Sequence, residues 1–268
     1  MVYQLTAIIT CKDEENNIRE CIESVLGIAD EVLIADSGST DRTLAIIEEE
    51  GGCRVIEREY INSGSLKNWA IPQATHEWVF VIDADERVTP RLAAEIEDML
   101  AGEPSHDGYW VNRDNYFLGH PARFGGFRND NVIRLFRRDL GRYKGETDHC
   151  EVAITTNRIG FLKGTLQHFS YWSYDQYMRK FHRYTTYQAQ VWAESGKSPS
   201  FLKLAFNGPF RFVRDYFFKL GFLDGKVGLQ VCMLSAFYSF MKQARLWELQ
   251  EGIPEPQLEA DREQRKAA

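Results

Sequence analysis

The stretch Trp78–Val88 reads W-V-F-V-I-D-A-D-E-R-V and decides the fold. Its leading apolar run has the length of a strand, which indicates a central strand buried on both faces of a parallel sheet. Asp83 and Asp85 follow at the carboxyl end of this strand, where open α/β sheets bind ligands. Two carboxylates there are costly to desolvate unless a cation lies between them. We expect Mg²⁺ or Mn²⁺ that also binds substrate phosphates, although an isolated D-x-D is about as often a solvated loop capping the next helix.

The composition is that of an ordinary globular protein. A chain of 268 residues forms one large domain with an appendage, or two small domains. Its formal charge of −7 argues against nucleic acid as the main partner, although basic residues outnumber acidic ones in 113–144 and 203–245. The cysteines are scattered and lack a C-x-x-C pair, which argues against a disulfide framework or a zinc site and fits a reducing cytosol. No basic leader precedes the first predicted strand, so we expect no signal peptide.

Short apolar runs alternate with helix-like segments over the first hundred residues. Asp13 is predicted to cap the first helix, and Thr89-Pro90 to start the last one. This alternation predicts a parallel α/β sheet with right-handed crossovers. The predicted strands are Leu5–Thr10, Val32–Ala35, Val55–Ile56 and Trp78–Ile82.

Three loops follow strands one, two and four of this predicted sheet: Thr10–Glu15, Asp36–Asp41 and Asp83–Glu86. The carboxyl ends of parallel strands share one edge, so these loops should face a common crevice. The second loop could also be a turn with a helix N-cap, since Asp, Ser, Gly and Thr favour both. That alternative suits Asp41 better than Asp36, which leaves its strand too early to be the cap.

Four motifs follow one another in Leu5–Leu100: I-I-T-C-K-D-E-E-N-N-I, V-L-I-A-D-S-G-S-T-D-R-T, G-S-L-K-N-W-A and W-V-F-V-I-D-A-D-E-R-V. In this order and at these spacings they resemble the family-2 glycosyltransferases of GT-A fold. Within that family the chain is most similar to the lipopolysaccharide core glucosyltransferase (WaaE-like) branch. The marks of that branch are L-K-N-W-A and the later segments H-F-S-Y and G-F-L-D-G. One departure is Asp13, where the family commonly has Asn.

The resemblance implies an α/β fold, with a GT-A (Rossmann-like), mostly parallel sheet flanked by helices in residues 1–170. A helical, aromatic and basic segment on the acceptor or membrane side is expected in 171–250, and a disordered tail in 251–268. The implied activity is inverting transfer of a hexose from a UDP-sugar to a saccharide or lipid-linked glycan acceptor of lipopolysaccharide or another surface glycan.

The resemblance also implies residue roles. Asp36 is expected to accept a hydrogen bond from the base edge, and Asp83 to contact ribose or sugar. Asp85 is expected to coordinate the Mg²⁺ or Mn²⁺, with His168 as an additional ligand and His149 competing for that role. The residues implied in nucleotide-sugar binding are Thr10, Glu14, Asp36, Lys67, Asn68 and Asp83. Without the motif, Lys67 would be a solvated helix lysine and His168 a buried, hydrogen-bonded histidine.

An inverting enzyme needs a carboxylate base after the D-x-D strand, on the acceptor side. The segment G-E-T-D-H-C-E-V, residues 145–152, is the best candidate. We favour Glu151, with Asp148 second and Glu146 third, because related enzymes carry a histidine-plus-glutamate segment here. Each of the three is, taken alone, an ordinary exposed loop carboxylate.

Arg134, Arg137 and Arg138 surround the apolar pairs of residues 132–136, which predicts an edge strand with basic ends. These arginines could bind the diphosphate or a phosphorylated acceptor, or simply solvate the edge.

The C-terminal part combines aromatic and basic residues. Tyr174–Ser195 is predicted to be a helix with a core-facing aromatic stripe. Residues 201–247 suggest a surface attracted to anionic lipid on the inner face of the cytoplasmic membrane. The alternative is a pair of helices packed on the domain or on a second subunit in a homodimer.

Other protein classes use similar parts. A sugar-nucleotide nucleotidyltransferase would have a glycine-rich, basic loop near the N-terminus, and here that loop is acidic. A phosphatase would have its D-x-D after strand one. A non-catalytic glycan-binding protein derived from the GT-A fold would not need the retained Asp83, Asp85 and base candidates.

Overall fold

The computed structural model describes residues 3–145 and 150–252. Glu146, Asp148 and His149, named above as base or metal candidates, lie outside the described residues. The described chain forms two compact units. The first comprises residues 3–123 and 127–170, and the second comprises 124–126 and 171–252.

The first unit consists of a large sheet, a two-stranded sheet and four helices. Its strands are β1 Leu5–Cys11, β2 Glu31–Asp36, β3 Cys53–Glu57, β4 Trp78–Asp83, β5 Glu86–Val88, β6 Gly108–Phe117, β7 His120–Ala122, β8 Asn131–Arg137, β9 Gly141–Lys144, β10 Glu151–Ile154 and β11 Ile159–Tyr171. Its helices are α1 Ile18–Leu26, α2 Thr43–Glu50, α3 Ser63–Ala70 and α4 Pro90–Ala101.

The large sheet is parallel in one half and antiparallel in the other. Its order is β3-β2-β1-β4-β8-β6-β11-β5, with β7 paired to β6, and β9 and β10 form the small antiparallel sheet. The four predicted strands are the parallel half. The predicted α/β class is therefore confirmed, while β8 pairs antiparallel with both β4 and β6, and β5 pairs antiparallel with β11.

The register brings the predicted loops to one edge of the sheet. Cys11 lies opposite Asp36, and Thr10 lies opposite Asp83. Strand β8 lies between β4 and β6, so the predicted edge strand is wrong. The prediction rested on its basic residues, because charged side chains commonly prevent an edge strand from pairing with another chain. The strands that pair with β8, however, come from distant parts of the chain.

Strand β4 is buried on both faces, as its apolar run predicts. Trp78, Phe80 and Ile82 belong to the core beneath α1, α2 and α4. Val79 and Val81 belong to the core on the opposite face, beneath α3 and the small sheet. This double burial fixes the position of the acidic residues that follow.

Asp13 does not cap α1, which corrects the sequence prediction. The helix begins at Ile18, and Asp13 has a left-handed backbone with φ of 52°, a conformation that Asp tolerates better than most residues. Its Oδ1 accepts a hydrogen bond from the backbone of Thr40 at 2.7 Å. Asp13 therefore connects the loop after β1 to the loop after β2. At α4, by contrast, the predicted cap is confirmed, since the Thr89 hydroxyl accepts from the backbone of Leu92.

The second unit is helical. It contains α5 Tyr174–Glu194, α6 Phe201–Val213 and α7 Gly225–Glu251, and α6 continues into a wider turn at Arg214–Phe218. Phe181 of α5 is buried and stacks on Phe237 of α7 at 5.2 Å between ring centroids. The predicted helix at Tyr174 is confirmed.

Within residues 3–145 and 150–252, no single helix is long and apolar enough to cross a membrane. Judged by length and composition alone, Phe201–Phe218 and Gly221–Glu251 pass together as a pair bent by 73°.

Gly164 tests the packing of β11 against α4. A Cβ on Gly164 would lie 2.4 Å from Leu92 Cα, so we expect Gly164→Ala to lower the free energy of unfolding by about 1–3 kcal/mol. Gly27 is the matched control, because nothing lies within 4 Å of its added Cβ and its φ is −74°. Gly27→Ala should stabilise by about 0.4–1 kcal/mol. Urea unfolding measures both, and equal effects would contradict the proposed clash.

Candidate active site

Asp83, at the end of β4, is held between two cations. Its Oδ1 lies 2.6 Å from Lys67 Nζ and accepts a hydrogen bond from the Thr10 hydroxyl at 3.0 Å. Its Oδ2 lies 2.6 Å from the Arg134 guanidinium. Burial disfavours the charged carboxylate, but Lys67 and Arg134 outweigh it and hold the pKa of Asp83 well below its usual range. Lys67 is only 4% exposed, so it is not a solvated helix lysine.

Glu86 is a buried anchor for which sequence reasoning gave no role. Its Oε1 lies 2.5 Å from Arg134 and 3.4 Å from Arg113, and its Oε2 accepts from the backbone N–H of Asp83 at 3.1 Å. Arg134 is only 4% exposed, so it does not solvate an edge. A charged residue inside the apolar run V-I-R-L-F was the available signal, because arginine is rarely buried without an acidic partner.

Arg113 extends this set of ion pairs. It binds both carboxylate oxygens of Asp130, at 3.0 and 2.9 Å. The ion pairs thus form a series in which positive and negative side chains alternate. In order, the series is Lys67, Asp83, Arg134, Glu86, Arg113 and Asp130.

Arg137 and Arg138 lie elsewhere. Arg137 pairs with Glu77 and with Asp107, the latter at 3.2 Å. Arg138 pairs with Asp139 and donates to the carbonyl oxygen of Ala74 at 2.9 Å. Both bind neighbouring parts of the fold, and neither lines the cleft described below.

His168 is oriented by a relay that starts at Asp130. The Asp130 carboxylate can only accept hydrogen bonds, and Asn115 Nδ2 donates to it at 2.9 Å. The amide oxygen of Asn115 is therefore the atom that faces His168 Nδ1, at 2.7 Å. This arrangement assigns a proton to Nδ1 and turns Nε2 toward Asp85, whose Oδ2 lies 3.7 Å away, with the Ser170 hydroxyl at 3.2 Å. Burial opposes protonation, but Asp85 outweighs it and raises the pKa of His168.

Asp85 and His168 fit an incomplete metal site. A carboxylate oxygen and an imidazole nitrogen converge, and the second ring nitrogen is hydrogen-bonded, as is usual for a metal-binding histidine. No group of three or more His, Cys, Asp or Glu residues within the described ranges forms a complete site. The pair therefore suits a divalent cation whose other ligands are substrate oxygens and water. Its metal role stays a prediction.

A cleft of about 360 Å³ lies beside Asp83. Lys67 and Arg134 also line it, together with Trp110. Glu151, the first residue of β10, is exposed and lines the same cleft. The structure thus brings the favoured base candidate to the cavity that Asp83 lines.

Other predicted nucleotide-binding residues are engaged within the fold. Asp36 is fully buried, and its Oδ2 accepts from the backbones of Gly38 and Ser39 at 2.7 and 2.9 Å. Asp36 therefore shapes the loop after β2, and contact with a base stays a prediction. Glu14 accepts from the side chain of Asn17 at 2.7 Å.

Asn68 is not directed to the cleft. Its amide nitrogen donates to the carbonyl of Tyr143 and its amide oxygen accepts from the N–H of Tyr143, each at 2.9 Å. It therefore joins α3 to β9. Because α3 places Lys67 and Asn68 on different sides, the motif L-K-N-W-A combines one cleft residue with one structural residue.

Comparison with known proteins identifies the family of the chain. The model of the family Glycosyl transferase family 2 matches residues 6–164. The lipopolysaccharide core biosynthesis glycosyltransferase LpsC of Rhizobium meliloti is 33% identical over 91% of this chain and 92% of its own. An uncharacterized glycosyltransferase of Rickettsia bellii is 29% identical over 92% and 87%. The solved structure of S. aureus TarS 1-349 with UDP-GlcNAc has a TM-score of 0.48 and 16% identity, covering 90% of this chain and 81% of that one.

The chain is therefore a transferase, and it belongs to glycosyl transferase family 2. The predicted family and the α/β fold class are confirmed.

Arg134→Met tests the buried ion pairs. It leaves Glu86 buried without its nearest cation, so we expect a loss of about 3–5 kcal/mol in the free energy of unfolding. The double variant Glu86→Gln/Arg134→Met should lose less than the two single variants summed. Arg42→Met, which removes an exposed pair with Glu49 at 3.7 Å, should cost under about 1 kcal/mol. If urea unfolding shows the same loss for Arg134→Met and Arg42→Met, the anchoring role is wrong.

Proposed function

We propose that this protein is an inverting glycosyltransferase that moves a hexose from a UDP-sugar to a sugar hydroxyl of a lipopolysaccharide core or other surface-glycan precursor. The observation that supports this most is that one cleft is lined by Asp83, Lys67 and Arg134 and also by Glu151. The similarity to a lipopolysaccharide core enzyme over 91% of the chain supports the acceptor class.

The charges explain why the donor side needs a cation. Three basic and three acidic side chains make up the series from Lys67 to Asp130, so it is neutral as a whole. A donor diphosphate adds negative charge beside it. Asp85 and His168 would hold Mg²⁺ or Mn²⁺, which when bound supplies positive charge to stabilise the leaving diphosphate. Lys67 and Arg134 would offer fixed hydrogen-bond donors at the cleft wall.

Glu151 is the proposed base on the acceptor side. Its carboxylate takes the proton of the acceptor hydroxyl, whose oxygen then forms a bond to the anomeric carbon. The bond from that carbon to the diphosphate oxygen breaks on the opposite face of the sugar. One displacement of this kind inverts the configuration, and the proton ends on Glu151.

We assign the donor chemistry to residues 1–170 and contact with the acceptor or the membrane to 171–250. A lipid-linked acceptor places the enzyme on the cytoplasmic face of the inner membrane, as a peripheral protein.

Metal binding is predicted to depend on Asp85 and, more weakly, on Asn115. Asp85→Ala should abolish Mn²⁺ binding and transfer while the fold is kept. Asn115→Ala should weaken Mn²⁺ affinity about 10–100-fold, because His168 loses the group that orients it. Asp114→Ala is the control. It changes the residue directly before Asn115 in β6 and should bind Mn²⁺ normally.

Paramagnetic resonance of Mn²⁺ with UDP measures the affinity directly, and the rise in Tm with UDP and Mn²⁺ gives an independent readout. Wild-type transfer by Asp85→Ala would refute the metal role. Absence of any Tm rise in the wild-type protein, with any nucleotide, would refute the proposed nucleotide-sugar donor.

Glu151→Gln is predicted to keep UDP-sugar affinity and to lose transfer by about 10²–10⁴-fold, since the amide cannot accept the proton. Calorimetric binding and a transfer assay separate the two effects. If Asp148→Asn alone keeps binding and loses transfer, the base is misassigned. A wild-type protein that binds UDP-sugars but transfers to no core acceptor would contradict the lipopolysaccharide core as the acceptor.

A further inference from the structure

Helix α6 and the turn after it expose a row of large apolar side chains, which we call the α6 stripe. Its members recur every three or four residues and so lie on one face of the helix. They are 43–67% exposed. The α6 stripe consists of Leu202, Phe206, Phe210, Val213 and Phe217.

The α6 stripe lies away from α7. On the packed face, a Cβ added to Gly208 would lie 3.3 Å from the carbonyl oxygen of Ala236, so the two helices are in close contact there. The face of α6 that packs inside its own unit is therefore already used, and the α6 stripe is a second apolar face.

The exposed area exceeds what a monomer usually leaves in water. Phe201 and Phe218, at the two ends of the α6 stripe, are 81% and 79% exposed. Together with the three phenylalanines of the stripe, and at roughly 200 Å² per side chain, they expose about 700 Å². The largest apolar patch on a typical monomer is about 300–600 Å² and often functional. A partner that covers the α6 stripe is therefore expected.

The charges next to the α6 stripe identify the chemistry of this partner. Residues 201–226 contain five basic and two acidic side chains, a sum of +3 in a chain of −7. Asp215 is buried and pairs with Arg211 and Arg214 at 2.7 and 2.8 Å. Asp224 accepts from the backbone of Phe124 at 2.8 Å. Asp215 also lies 3.6 Å from Lys219, so three of the five cations share one acid, while Lys203 and Lys226 are exposed. The segment that carries the apolar rings therefore has an excess of positive charge.

We propose that the α6 stripe docks on a membrane surface containing anionic lipid, with its rings among the acyl chains and the neighbouring basic residues at the phosphates. An amphipathic helix with aromatic residues on one face and cations beside it binds in this manner, parallel to the surface. The wider turn at Arg214–Phe218 prolongs the exposed face beyond the end of α6.

A second copy of the chain fits this surface less well. In a two-fold symmetric dimer the same patch faces itself, which would place the basic residues of 201–226 opposite their own copies. Anionic lipid supplies both the apolar phase and the opposite charge. The reason for docking, a lipid-linked acceptor, rests on the proposed function, but docking is measured without activity.

Vesicle co-sedimentation of the full chain tests the proposal. The probes are phosphatidylcholine vesicles with and without about 30 mol% phosphatidylglycerol, at low salt. We expect wild-type protein to bind the anionic vesicles at least tenfold more tightly than the neutral ones. Phe206→Ser/Phe210→Ser should lower this affinity at least tenfold. Phe161→Ser is the matched control, since Phe161 is 59% exposed but lies on β11, and it should bind like the wild type.

Lys203→Gln/Lys226→Gln should lower the preference for anionic vesicles while leaving the Tm unchanged, because both lysines are exposed. Equal binding of wild-type protein to both vesicle types, or unchanged binding of Phe206→Ser/Phe210→Ser, would overturn the proposal. A dimer interface would also overturn it. In that case light scattering would show that the wild-type protein is a dimer and that Phe206→Ser/Phe210→Ser is a monomer, and the wild-type protein would not bind vesicles. Transfer to a delipidated core acceptor reports on the proposed function separately. Vesicle binding without such transfer would refute the core acceptor and leave the docking surface standing.

Discussion

The buried ion pair between Arg134 and Glu86 is the interaction on which the site depends. Two charges removed from water cost several kcal/mol each, and one contact does not restore that loss. Here each partner is used more than once: Arg134 also binds Asp83, and Glu86 also binds Arg113 and the backbone N–H of Asp83. The turn after β4 is thus fixed from both ends, which aims Asp83 at the cleft and Asp85 at His168.

The buried ion pairs are connected to the His168–Asp85 pair, although these residues lie far apart in the sequence. From Arg113 the contacts continue through Asp130 and Asn115 to His168, whose Nε2 faces Asp85. The buried pairs are therefore connected to the predicted metal ligands by a continuous set of polar contacts. The series from Lys67 to Asp130 is neutral as a whole. The negative charge of a bound diphosphate would therefore have to be balanced by an added cation.

Local patterns predicted the parallel half of the sheet and failed for the rest. Strands β1, β2 and β4 have apolar runs whose period and length are sufficient for assignment, and their common edge follows from parallel pairing. The place of β8 depends on pairing with β4 and β6, which no local pattern encodes, so Arg134 resembled a surface residue. The resemblance placed Lys67 at the site, yet it could not show that Asn68 turns toward Tyr143. Side-chain direction at the cleft is a property of packing across distant segments.

The exposed phenylalanines of α6 bear on how the cleft would meet its acceptor. An exposed apolar face favours aggregation, so keeping it is costly unless a second phase covers it. A chain of net charge −7 is repelled by an anionic surface at long range, and the +3 segment of residues 201–226 is then the part that approaches it favourably. In the proposed docking, charge would select the orientation of the protein, and burial of the apolar rings would hold it at the surface. For an acceptor anchored in that surface, this arrangement replaces a search through solution with a search in the plane of the membrane, which raises the encounter rate without any change at the reacting atoms.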